Sequence, residues 1–248
     1  METKIDEIAP DIFRLSTHID QIAPPAGFTF NQFLVRDEAP FMFHTGLRSL
    51  FPLVSEAIAQ LIDPTELRWV SFAHVEADEC GALNELLARA PDAQVAHGEL
   101  ACMVSLNDLA DRPPRPFAAD EVLDLGSHRL RFLPTPHVPH NWESGLWFDE
   151  TSQTLFAGDL FTHLGDGPAV TQESLVPEAM AAEAIFRSTS GGPDLAPTLD
   201  RLADLEPTTL AVMHGSSFSG AGGPELRKLA AAYASADAEA EPRPGSPS

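Results

Sequence analysis

Residues 69–79, Trp-Val-Ser-Phe-Ala-His-Val-Glu-Ala-Asp-Glu, run from an apolar strand pattern straight into His74, Glu76, Asp78 and Glu79. Three other apolar stretches end the same way: LRFLPTPH on His137, TLFAGD on Asp159 and TTLAVMH on His214. Strands that finish on an imidazole or a carboxylate bring ligands from distant sequence to one edge of a core, where two metal ions can be shared. The pattern therefore predicts a strand-rich core with a metal-binding edge.

A plainer account exists for the first cluster, because carboxylates at a helix start cap free N–H groups and meet the positive end of the helix dipole. A capping box, however, places Glu or Gln three residues after the cap, and Gly81 stands there relative to Asp78. Capping also ignores His74 and Glu76. In an extended strand end, alternate residues point the same way, so His74, Glu76 and Asp78 can converge while Glu79 faces a second centre. His137 alone would more often be a loop or core histidine. Asp159 is more telling, since a carboxylate directly after an apolar strand is costly to bury without a cation. His214 precedes Gly215, which lets the ring enter a pocket without crowding.

Outward from these motifs, IFRLSTHI, FTFNQFLV and PFMFHT read as strands separated by turn residues. Leu50, Val54, Ile58 and Leu61 recur at helical spacing through residues 46–62, and Leu83, Leu86, Leu87 and Ala90 line a second helix that stops before Pro91. AQVAHGEL reads as a strand and DRPPRPFAADE as a Pro-rich surface connection that interrupts regular structure. HRLRFL, SGLWFDE and QTLFAGD form a β-rich second half resembling the first, followed by helices over VPEAMAAEAIFRS and LAPTLDRLADLE and a last strand, TTLAVMH. The final stretch lacks apolar residues to offset ordering, so the expected organisation is one domain over residues 1–234 and a disordered tail over 235–248.

Composition sets the class. A chain of 248 residues, 44% hydrophobic and 21% charged, can bury a sizeable α/β core in one domain. Its net charge of −22, from 37 acidic and 15 basic residues, repels phosphate backbones and anionic lipid, so nucleic acid is excluded as a partner. No apolar run approaches the roughly 18 residues of a membrane span, and the N-terminus lacks the basic start and apolar stretch of a secretory signal, so a cytoplasmic location is expected. Cys80 and Cys102 are expected as buried thiols.

The order His74-x-Glu76-x-Asp78, then His137, Asp159 and His214, resembles the di-iron signature of metallo-β-lactamase-fold proteins, as in flavodiiron and oxygen-binding di-iron proteins, over about residues 10–220. The resemblance implies an αββα sandwich: two mixed β-sheets packed face to face with helices on both outer faces. In the dizinc hydrolases of that fold the motif reads His-x-His-x-Asp-His, so Glu76 replaces an imidazole. A harder, more anionic donor set suits iron, or manganese, better than zinc. By this resemblance His74, Glu76 and His137 hold one iron, Asp78, residue 79 and His214 hold the other, and Asp159 bridges. Di-iron members usually carry His directly after the Asp. Here Glu79 is expected to be a ligand, with the alternative that it caps the helix and leaves an open coordination position. Four carboxylates, Glu76, Asp78, Glu79 and Asp159, would balance two divalent ions. His140 and His163 lie nearby in sequence as candidate hydrogen-bond donors to bound ligand, and Trp142, Trp147, Phe161 and Phe218 as a candidate dry lining.

The function implied is a non-haem di-iron protein that binds or reduces dioxygen or a related small diatomic. Because the sequence offers no flavodoxin-like domain, electrons would come from a separate flavoprotein or rubredoxin-like partner. A homodimer is implied by the same resemblance. The alternatives are a dinuclear hydrolase of an ester, thioester or lactone, a di-iron oxygenase or oxidase of an organic substrate, and a non-catalytic oxygen sensor.

Overall fold

Every residue of FTFNQFLV is buried, because this strand sits between two separate apolar layers. Phe33 and Val35 belong to a core that also holds Phe132, Trp147 and Phe156, whereas Phe30 and Leu34 join a second core with Val54, Ile58 and Leu83. The period-two alternation of a strand divides its side chains between the two. Phe41 and Phe43 against Met42 repeat the pattern on the next strand.

The computed structural model describes residues 1–239. The first half gives β1 (Thr3–Ala9), β2 (Ile12–Ile19), β3 (Phe28–Val35), β4 (Phe41–Phe43), α1 (Phe51–Ala59), β5 (Trp69–Ser71), α2 (Ala77–Cys80), α3 (Leu83–Arg89) and β6 (Gln94–Gly98). A helical stretch follows, made of α4 (Glu99–Ala101), a π-helical turn (Cys102–Leu106) and α5 (Asn107–Leu109), and leads to β7 (Arg115–Phe117). The second half gives β8 (Val122–Asp124), β9 (Arg129–Pro134), β10 (Gly145–Asp149), β11 (Thr154–Gly158), β12 (Val170–Thr171), α6 (Val176–Phe186), α7 (Leu195–Ala203), β13 (Thr209–Val212), β14 (Ser217–Ser219) and α8 (Gly222–Glu239). Two seven-stranded mixed sheets result, ordered β1-β2-β3-β4-β5-β6-β7 and β12-β14-β13-β11-β10-β9-β8. The indole N–H of Trp147 on β10 donates to Ser71 Oγ on β5 at 2.8 Å, and that hydroxyl donates to Ala96 O at 2.6 Å, so a buried polar bridge pins the sheets together.

Topology sets up the edge where the motifs meet. β11 and β13 are parallel neighbours, so Asp159 and His214 leave the second sheet side by side. Gly158 closes β11 at φ 53°, and a Cβ there would come 2.8 Å from the Ala73 methyl. A side chain would therefore push the end of β11 away from the end of β5, where His74 begins.

Three sequence expectations are corrected. The Pro-rich connection contains β7, tolerated because it lies at the sheet edge, where a missing N–H costs little. AQVAHGEL leaves the strand at Gly98 and becomes helical from Glu99. The expected tail begins inside α8, whose Ala-rich sequence continues as helix past residue 234 to Glu239; the rest of that expectation, residues 240–248, lies outside the described residues. Among the described residues no helix is long and apolar enough to cross a membrane.

Candidate metal centre

His74 is fully buried at the end of β5, with Nε2 2.7 Å from Glu76 Oε2 and 2.8 Å from His140 Nε2. His140 Nε2 also lies 3.3 Å from Glu76 Oε2 and 3.5 Å from Asp159 Oδ2. The donor atoms of His74, Glu76, His140 and Asp159 all fall within 4.8 Å of one another. A second group adjoins the first: His214 Nε2 lies 3.3 Å from Asp78 Oδ2 and 3.3 Å from Asp159 Oδ1. Asp159 thus turns one oxygen to each group.

The charges fit cations. Burial opposes charge on His74, yet Glu79, Glu76 and Asp159 push it up to about 10. Burial likewise opposes charge on His214, and Asp159 and Asp78 push it up to about 10. Hydrogen bonds from His140 and His74 hold Glu76 down to about 2. Burial alone would raise Asp159, but the adjacent imidazoles of His214, His74 and His140 hold it below the usual carboxylate range. Two ring nitrogens facing each other at 2.8 Å cannot both carry protons without repulsion, whereas both can donate lone pairs to one metal. The buried Asp159 Oδ1 has no well-formed hydrogen bond, which a cation would remedy.

The loop after β13 is braced from β3. His214 Nδ1–H donates to Thr29 O at 2.7 Å, leaving Nε2 for a metal. Gly215 N–H donates to Thr29 Oγ1 at 2.6 Å, Asn31 Nδ2 donates to Val212 O and Gly215 O at 2.8 Å each, and the buried Arg14 donates to Gly215 O at 3.0 Å. Phe28 stacks on the His214 ring at 4.2 Å, with Phe30 edge-on at 5.3 Å. A small polar cavity opens on Asp159, lined by Thr162, Glu183, Phe186, Thr189 and the single tyrosine, Tyr233.

The structure redistributes the expected residues. His74, Glu76, Asp78, Asp159 and His214 come together; His137 does not. It is exposed, with left-handed φ 66°, and its N–H donates to Asn141 O at 2.8 Å. That turn carries the chain round so that His140, expected only as an auxiliary donor, enters the cluster instead. Glu79 is fully buried, and its carboxylate faces the Nδ1 edge of His74, away from the converging donors. His163 braces a loop: Nδ1–H donates to Phe161 O and Nε2 accepts from Ser216 N–H, both at 2.8 Å. Trp147, Phe161 and Phe218 belong to the intersheet core and Trp142 is 54% exposed, so Phe28, Phe30 and Phe186 make the apolar wall. Polar residues at alternate positions of an otherwise apolar strand, Thr29 and Asn31, were the available signal for the bracing.

Two facing mixed sheets with converging donors at their strand ends define the metallo-β-lactamase fold. Within it, the chain belongs to the ODP family beta lactamase group, whose pattern it matches over residues 28–215. It is 33% identical over 141 residues to diflavin flavoprotein A 1 of Thermosynechococcus vestitus, covering 54% of this chain and 24% of that protein. It is 29% identical over 141 residues to rubredoxin-oxygen oxidoreductase of Megalodesulfovibrio gigas, covering 55% of this chain and 34% of that protein. The matches thus span about a quarter to a third of those relatives. Among solved structures, fragment 1–254 of diflavin flavoprotein A 5 from Nostoc superposes with a TM-score of 0.78 at 21% identity, covering 94% of each chain. Rubredoxin oxygen:oxidoreductase from Desulfovibrio gigas superposes with a TM-score of 0.77 at 20% identity, covering 94% of this chain and 61% of that one.

Proposed function

We propose that this chain holds two iron ions and binds or reduces dioxygen or a related small diatomic. The observation that carries the reading is Asp159, whose two oxygens face two separate groups of donors. His74, Glu76 and His140 would hold one ion and Asp78 and His214 the other. Carboxylates outnumber a zinc hydrolase's share in this set, which favours iron. Bound iron supplies one-electron chemistry and a Lewis-acid position for a diatomic ligand.

The protein's own residues shape that position. Phe28 and Phe30 exclude water around His214, while the half-exposed side chain of Glu76 marks the side open to solvent. Tyr233, whose burial pushes its hydroxyl up to about 12, keeps a proton at the cavity beside Asp159. The relatives' names support dioxygen as ligand and a flavoprotein or rubredoxin-like protein as electron donor. A homodimer in the cytoplasm completes the proposal.

Anaerobic reconstitution with Fe(II), followed by a pulse of dioxygen, tests it. Two irons per chain and uptake of dioxygen, reversible or consumptive, are expected. Preferential uptake of zinc with ester, thioester or lactone hydrolysis would overturn it.

A further inference from the structure

Glu79 is the buried carboxylate that the metal centre leaves unused. Its Oε2 accepts from Ala73 N–H and His74 N–H, both at 2.7 Å, so it ties the end of β5 to the first turn of α2. Its Oε1 lies 3.3 Å from His74 Nδ1 and 3.4 Å from His44 Nε2, buried close approaches of charge to imidazole rather than well-formed hydrogen bonds. Both histidines are fully buried. The two nitrogens of His74 therefore face different neighbours: Nδ1 meets Glu79, and Nε2 meets Glu76, His140 and Asp159. His44 continues the chain of contacts, since its Nδ1 lies 3.3 Å from Asn31 O, on the residue whose amide braces the His214 loop.

We propose that Glu79 is a positioning residue for His74 rather than a metal ligand: its fixed carboxylate selects the Nδ1–H tautomer and leaves Nε2 as the donor. An acceptor behind a metal-binding imidazole sets both its tautomer and its orientation. The second position then has Asp78, His214 and Asp159 as its side chains among the described residues. This inference rests on the two-metal reading of the site.

The test uses zinc(II) as a redox-silent probe of the full chain, with 15N-labelled histidine. In wild type, NMR of the zinc-loaded protein should show His74 protonated on Nδ1 and metal-bound through Nε2. In Glu79→Gln the amide oxygen must accept the two backbone N–H groups, which turns the amide NH2 toward Nδ1 and favours the wrong tautomer. Zinc affinity at the His74 position should fall about 10- to 100-fold, with uptake at His214 unchanged. Glu79→His, which supplies an imidazole but no double acceptor, should not restore wild-type binding.

Weakening at the His214 position in Glu79→Gln, or full two-zinc binding by Glu79→His, would overturn the role of Glu79. So would an unprotonated His74 Nδ1 in loaded wild type, a measurement that does not depend on a variant folding. Failure of wild type to take up two zinc ions would instead overturn the two-metal reading beneath it.

Discussion

Replacing Asn31 with Ala tests how firmly the loop that carries His214 is held. The side chain is fully buried and its Nδ2 donates to Val212 O and Gly215 O at 2.8 Å each. Gly215 O keeps Arg14 as a donor at 3.0 Å, so its loss is limited to the net value of one hydrogen bond, about 0.5–1.5 kcal/mol. Val212 O loses this side-chain donor inside the core, which costs about 1–3 kcal/mol. The sum, about 1.5–4.5 kcal/mol, should lower the melting temperature by roughly 3–18 °C at about 2–4 °C per kcal/mol for a chain of this size. His214 keeps its bond to Thr29 O, but the loop carrying it loosens, and metal affinity at that position should drop about 10- to 100-fold. Urea unfolding of the metal-free variant and zinc titration followed by calorimetry read the two effects separately. A loss below about 1 kcal/mol together with wild-type affinity would refute the bracing argument.

Three further outcomes are expected. Metal analysis after reconstitution should find His137→Ala indistinguishable from wild type and His140→Ala short of the ion shared with His74 and Glu76; the reverse would restore the strand-end reading of His137. Gly215→Ala should destabilise by more than about 2 kcal/mol, because its Cβ at φ 101° would lie 2.2 Å from His163 Nε2, and thermal melts would show it. The buried His128–Asp149 pair, 2.7 Å apart, predicts a pH signature. The hydrogen bond to Asp149 raises His128 against the effect of burial. Its contribution is therefore full below the unfolded value of about 6.5 and lost as pH rises through the higher folded value. Asp149, which burial would raise, is held low by His128 and Ser152, so its share is full above its unfolded value of about 3.9 and lost as pH falls through the depressed one. Urea midpoints of wild type and His128→Asn should differ most between those unfolded values and converge at alkaline pH; a pH-independent difference would discredit the pairing.

The strands whose apolar runs end on His74, Asp159 and His214 could be read because alternation and an abrupt polar stop are both local signals. His140 could not, since the switch from His137 depends on a turn closed by hydrogen bonds between residues 137 and 141 and between Thr135 and Ser144. The orientation of Glu79 was illegible for a related reason: it stands in α2, where helical geometry rather than strand alternation directs the side chain, back toward the strand end. β7 was hidden by prolines whose tolerance depends on lying at an edge, a property of the assembled sheet. Thr29 and Asn31 were visible as polar interruptions, but their partners lie more than 180 residues away in sequence.

The first sheet follows chain order, β1 through β7, so it can assemble as the polypeptide leaves the ribosome. His74, Glu76 and Asp78 are in place by then, yet Asp159 arrives from the second sheet and His214 later still. A nascent chain therefore carries a half-built, acidic rim until residue 214 has been made, and its donor side chains converge only once strands of both sheets are present.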